Sequence, residues 1–110
     1  MNIEIRTDGD YSIAKISGEI DSKTAPQAQE ELLPVTEKHS RIVLDMTDVT
    51  FLSSAGLRTL LLLYRQVTAD KGKIVLVGLT EEIQDTMAMT GFLKFFVIAQ
   101  SLEEGLKALG

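Results

Sequence analysis

Cysteine is absent from this chain of 110 residues, which removes disulfides, thiol nucleophiles and cysteine metal sites together. That absence fits a reducing cytoplasm. Histidine occurs once, as His39, in a polar stretch beside Lys38 and Arg41 where it reads as a solvated loop residue. A Ser-His-Asp triad would have to recruit it, and nothing around it recommends that role. No GxGxxG or phosphate-loop pattern occurs, so no nucleotide cradle is signalled. Long apolar runs are missing as well: Leu60 to Leu63 with Tyr64 at its end is far too short to cross a bilayer. No charged-then-apolar leader opens the chain, because Asn2, Glu4, Arg6 and Asp8 interrupt the apolar residues. The eleven Lys and Arg form no stripe and are outnumbered by sixteen Asp and Glu, for a net charge of -5. Direct nucleic-acid binding is therefore disfavoured. The reading is a cytoplasmic, non-enzymatic protein with no cofactor, no metal and no membrane segment.

What is present suits one α/β domain over residues 1–110. A chain of this size buries roughly two-thirds of its unfolded surface, and 45% hydrophobic with 25% charged is a globular composition. Ile3 to Arg6 alternates apolar and polar as a half-buried strand does, Asp8-Gly9-Asp10 is turn chemistry, and Tyr11 to Ser17 is a second strand. Gly18 to Lys23 is polar and punctuated. Thr24 with Gln27 reads as a capping box, followed by a helical stripe of Ala25, Ala28, Leu32 and Val35. Pro34 inside that stripe predicts an early end or a kink.

Ile42 to Met46 reads as the third strand. Ser54 to Asp70 reads as the second helix, with Leu57, Leu60, Leu61, Tyr64 and Val67 on one face and Gly72 at its end. Ile74 to Val77 has the continuous β-branched and apolar character of a strand covered on both faces. Thr80 with Glu81 and Glu82 starts a third helix, and Phe95 to Ile98 is a fifth strand. Ser101 and Glu104 cap a last helix whose Leu102, Leu106 and Leu109 face the core. The expectation is a mixed β-sheet of about five strands with about four helices, opening on a hairpin and then alternating strand and helix.

One segment, Phe51-Leu52-Ser53-Ser54-Ala55-Gly56-Leu57, stands apart. An apolar pair runs into two serines and then a helix. One serine is enough to cap that helix, so the doubled hydroxyl is in excess. Gly56 is also unexpected, since glycine in a helix costs about 1 kcal/mol relative to alanine. Its presence implies that another backbone or side chain comes close.

These residues resemble the phosphorylatable motif of the STAS-domain anti-sigma factor antagonists, in which an apolar pair, an acidic residue, two small hydroxylic residues and Gly-Leu follow a strand. Gly18-Glu19-Ile20-Asp21 resembles the family's Gly-x-(Ile/Leu)-Asp. The order of elements matches the STAS fold from end to end. The resemblance implies Ser54 as phospho-acceptor, with Ser53 in place of the usual acidic residue and an alternate acceptor, and Ala55 in place of the second hydroxylic residue. Asp21 falls near the same surface; a turn residue before Thr24 is the competing reading. The partner surface is then expected to hold Asp21, Ser53, Ser54, Gly56, Leu57, Arg58 and Leu62.

The family implies a partner switch. The unmodified protein binds an anti-sigma factor that is an ATP-dependent serine kinase, phosphorylation of Ser54 breaks the complex, and a metal-dependent PP2C-type phosphatase restores the protein. Arg58, one turn beyond Ser54, is placed to reach the phosphate; an ordinary solvated arginine is the competing reading. Leu62, one turn further, departs from the apolar stripe and is expected to be solvent-accessible; burial in a helix flanked on two sides is the competing reading. Three alternatives stay open: an adaptor in another kinase and phosphatase complex, a non-phosphorylated small-ligand or transport-accessory module, and a hydrolase using Ser54.

Overall fold

The computed structural model describes residues Met1 to Gly110. Strands β1 (Asn2–Asp8) and β2 (Tyr11–Ile20) make the opening hairpin. Helix α1 (Ala25–Lys38), β3 (Arg41–Leu52), α2 (Ser54–Ala69), β4 (Lys73–Val77), α3 (Glu81–Met89), a 3-10 turn (Leu93–Phe95), β5 (Val97–Ala99) and α4 (Leu102–Leu109) follow. The sheet runs β1-β2-β3-β4-β5, antiparallel at its first pair and parallel thereafter. The mixed five-stranded sheet with four helices is as the alternation predicts.

Period-2 alternation divides the strand residues between two faces. Ala14, Ile16, Ile42, Leu44, Ile74 and Leu76 meet Ala28 and Leu32 of α1, Leu57, Leu60, Leu63 and Val67 of α2, and Ile83 and Met87 of α3. On the opposite face Ile13, Val43, Val75 and Val77 meet Leu109, with Leu102 and Leu106 packed alongside. The helix α4 thus covers one face while α1, α2 and α3 cover the other. Val75 and Leu76, one for each face, are both fully buried, as the continuous apolar run of β4 requires.

Several local expectations give way to tertiary packing. Strand β2 runs to Ile20 and β3 to Leu52, beyond the predicted Ser17 and Met46. The β2–β3 register shifts between Lys15 and Ser17 and again between Gly18 and Glu19, each time admitting one extra residue on β3. These bulges break the alternation by which a strand is recognised. Helix α1 continues through Pro34 to Lys38. Pro34 and Glu30 are exposed, so the hydrogen bond that Pro34 cannot donate is lost on the solvent side of the helix. Thr36 is buried in the α1 stripe, and Val35 only packs against its margin.

On α2, Leu63 is buried where Leu61 was expected, and Tyr64 lies half-buried against Phe95 and Phe96. Gly72 is not the left-handed residue at the end of α2. Lys71 takes that conformation, at φ 59, while the Gly72 amide donates to the Val67 carbonyl. A Cβ on Gly72 would lie 2.0 Å from the Ser40 carbonyl oxygen, so close approach of backbone requires glycine there. Phe95 belongs to the 3-10 turn, and β5 begins at Val97.

Candidate functional site

The C-terminal ends of β2 and β3 lie side by side, with Ile20 paired to Leu52. The two motif segments therefore meet: the Ser53 amide donates to the Ile20 carbonyl at 2.9 Å. Gly56 lies in the first turn of α2 directly over this junction. A Cβ there would sit 2.5 Å from Leu52 Cδ1 and 2.8 Å from the Ile20 carbonyl oxygen. The glycine thus lets the helix start press onto the strand ends, as its cost in the sequence implies.

The two serines do different work. Ser53 is the N-cap: it is half-buried, with extended backbone, and its Oγ accepts from the Gly56 amide at 3.3 Å. Ser54 is the first helical residue and is exposed. Its hydroxyl has no hydrogen-bond partner in the chain. The Ser54 and Ala55 amides belong to the helix's opening turn, where no earlier carbonyl is available to them. A free hydroxyl therefore stands among free N–H groups at the positive end of a helix dipole.

Asp21 is half-buried, and its carboxylate folds back on its own loop. It accepts from the Lys23 amide at 2.9 Å and the Thr24 amide at 3.0 Å. The hydrogen bonds from Thr24 and then Lys23 hold its pKa below the usual carboxylate value, against a smaller opposing effect of desolvation. The expected Thr24–Gln27 capping box does not form. Thr24 Oγ1 donates to the Glu19 carbonyl and accepts from the Asp21 amide, while Gln27 donates to Glu31. The loop is closed by Asp21 itself.

Beyond Ala55 the surface opens into a groove of about 630 Å³ between α1 and α2. Arg58, Leu61, Leu62 and Arg65 line one wall, and Ser22, Ala25, Pro26 and Gln29 the other. Gln29 Nε2 donates to Thr59 Oγ1 at 3.1 Å, tying the two helices beneath it. Leu62 is 39% exposed, a large apolar side chain open to solvent. Arg58 and Arg65 form no ion pair; the three in the chain are Lys15–Asp48, Arg41–Asp10 and Lys107–Glu103. The groove thus presents two free guanidiniums around an apolar floor.

Of the residues expected at the partner surface, Ser54, Arg58 and Leu62 are exposed and Ser53 and Asp21 are half-buried. Gly56 and Leu57 are buried and seat the helix, so neither offers a side chain to a partner. The apolar pair also divides: Leu52 is buried, and Phe51 is 50% exposed beside the serines. Arg65, absent from that expectation, lies seven residues beyond Arg58 on the same helix, a spacing that could have found it. The α1 residues of the groove carry no local signal, since only tertiary packing brings them there. His39, at the far end of β3, caps α1 through its amide and is remote from Ser54.

Known proteins resemble this chain in sequence and in fold. A family model described as the STAS domain matches residues 2–105. BtrV of Bordetella bronchiseptica, which carries the name of an anti-sigma factor antagonist, is 35% identical over 97 residues, or 87% of this chain and 84% of that protein. The anti-sigma-B factor antagonist of Bacillus subtilis is 25% identical over 107 residues, covering 97% and 98% of the two chains. The crystal structure of an anti-sigma factor antagonist from Mycobacterium paratuberculosis aligns with a TM-score of 0.88 at 27% identity, over 98% of this chain and 92% of that one. Matched across nearly its whole length in sequence and in fold, this chain belongs to the STAS domain family.

Proposed function

We propose that this protein is an anti-sigma factor antagonist that binds a serine-kinase-type anti-sigma factor and is switched off when that kinase phosphorylates Ser54. The observation that carries the reading is the division of labour between the serines. Ser53 is engaged as the helix cap, and Ser54 is exposed with its hydroxyl free. The partner is held on Ser54 and the adjoining groove, with Leu62 as apolar contact and Arg58 and Arg65 as cationic rim. Asp21 shapes the neighbouring loop without presenting its carboxylate. The chain acts in the cytoplasm as a binding partner and not as an enzyme, and a PP2C-type phosphatase resets it.

The direction of the switch follows from charge. A phosphate adds about -1.5 to -2 charges. Within the domain the amides at the start of α2 and the Arg58 guanidinium accommodate it. Against a partner surface shaped for a neutral hydroxyl, the same group is bulky and costly to desolvate, so the complex separates without refolding. Incubation with the cognate kinase and ATP, followed by phosphate mapping, tests the reading. Phosphate on Ser54, with loss of kinase binding, supports it. Modification at Ser53 alone, or normal kinase binding by a Leu62→Ala variant, would remove the assigned acceptor or the assigned contact.

A further inference from the structure

We propose that β1 is a self-complementary edge through which two copies of this chain join into one continuous ten-stranded sheet. The sheet has two edges, and they are unlike. Strand β5 has three residues, while β1 has seven, and all but Ile3 are exposed. Exposed edges are usually blunted by shortness, proline, a bulge or charged side chains. Of these, β1 has only the charges of Glu4, Arg6 and Asp8, which are of both signs, and its pairing with β2 is continuous from Asn2 to Asp8.

The phase of its free hydrogen-bonding groups follows from the turn. Gly9 has φ 64 and Asp10 has no positive φ, the pattern of a two-residue type II′ hairpin closed by a hydrogen-bonded pair. That pair is Asp8 and Tyr11. Alternation then directs the backbone groups of Asp8, Arg6, Glu4 and Asn2 toward β2, and those of Thr7, Ile5 and Ile3 outward. An antiparallel pairing of two copies about a two-fold axis at Ile5 sets Ile5 opposite Ile5 and Ile3 opposite Thr7. It uses only the outward groups.

The side chains select the same register. With Ile5 on the axis, Glu4 of each copy faces Arg6 of the other, and the full length of both strands is paired. A slip of two residues one way opposes Glu4 to Glu4. The other way it opposes Arg6 to Arg6 and Glu4 to Asp8. Like charges directly opposite one another are destabilising. Neither Glu4 nor Arg6 is committed to an ion pair within the chain. Ile5 lies opposite Ala14, so the two Ile5 side chains, each 39% exposed, cover one another on the α1 and α2 face. Glu4 and Arg6 meet on the other face, which α4 leaves open at this end. Main-chain pairing with so little apolar burial makes a weak dimer, with a Kd of roughly micromolar to millimolar. Ser54 begins α2 and is no part of the β1 edge.

Sedimentation equilibrium of the full chain from about ten micromolar to about one millimolar tests this. A monomer–dimer equilibrium is expected, weakened about tenfold or more by Glu4→Arg and equally by Arg6→Glu, each of which sets like charges opposite one another. An equimolar mixture of the two variants should associate again as a heterodimer, because each substituted residue then faces its opposite. Ile5→Pro, which removes an outward N–H that an edge strand does not use, should retain the circular dichroism of the wild type and lose association. A monomer throughout the range would overturn the proposal. So would a dimer indifferent to both charge variants, or a mixture that stays monomeric.

Discussion

Three helices begin under a hydroxyl cap, and one differs from the other two in charge. Thr80 caps α3 and Ser101 caps α4, and both are followed by paired carboxylates, Glu81 with Glu82 and Glu103 with Glu104. Ser53 caps α2, whose first turn has no acidic residue. Carboxylates at the first two starts offset the partial positive charge of the dipole, a stabilisation of about 0.3–1 kcal/mol each. Helix α2 forgoes it at the turn that holds Ser54. A phosphate arriving at α3 or α4 would meet standing negative charge, whereas one arriving at α2 meets free amides and Arg58.

The largest test of that contrast gives α2 the charge it lacks. Ser54→Asp should bind the kinase roughly tenfold or more weakly, because a desolvated charge then faces a surface made for a hydroxyl. Ser54→Ala should bind normally and take up no phosphate. Calorimetry and intact mass read the two outcomes, and undiminished binding by Ser54→Asp would refute the charge argument.

Next in size is the close approach beneath the helix. Gly56→Ala should lower stability to urea by about 1–3 kcal/mol, since the new methyl meets the Ile20 carbonyl, which is backbone and cannot turn aside. Gly105→Ala in α4 meets chiefly a Val77 methyl, and improved helix propensity of about 1 kcal/mol offsets that contact. Its change should be near zero. Equal losses at the two glycines would mean that the strand ends yield to α2 as readily as a side chain does.

The capping assignment carries a smaller effect. Ser53→Ala should cost about 1 kcal/mol, and Ser54→Ala no more than about 0.5 kcal/mol. Thermal or urea unfolding of the two variants decides it, and the reverse ranking would exchange the roles of the serines.

The smallest concerns Asp21. Its folded pKa is depressed by the amides of Thr24 and Lys23, so its contribution is present above the unfolded carboxylate pKa and is lost as pH falls through the folded one. The wild type should therefore lose stability on acidification in the carboxylate range, and Asp21→Asn should show a shallower loss there. Identical acid profiles would assign the loop's stability to Thr24 instead.

What the sequence by itself determined is local. The hairpin, the alternation of strand and helix, and the caps at Thr80 and Ser101 depend on neighbours within a turn or two, and the periodicity of apolar residues reports them. The cost of Gly56 likewise announced a close neighbour without naming it. Tertiary structure decided the rest. The bulged extension of β3 exists because β2 pairs along it, and the α1–α2 groove exists because two helices far apart in sequence pack together. Which serine caps and which stays free is set when the Ser53 amide bonds to Ile20 and Gly56 settles on Leu52. Those are contacts between residues more than thirty positions apart or across a strand end, and such contacts leave no period in the chain that makes them.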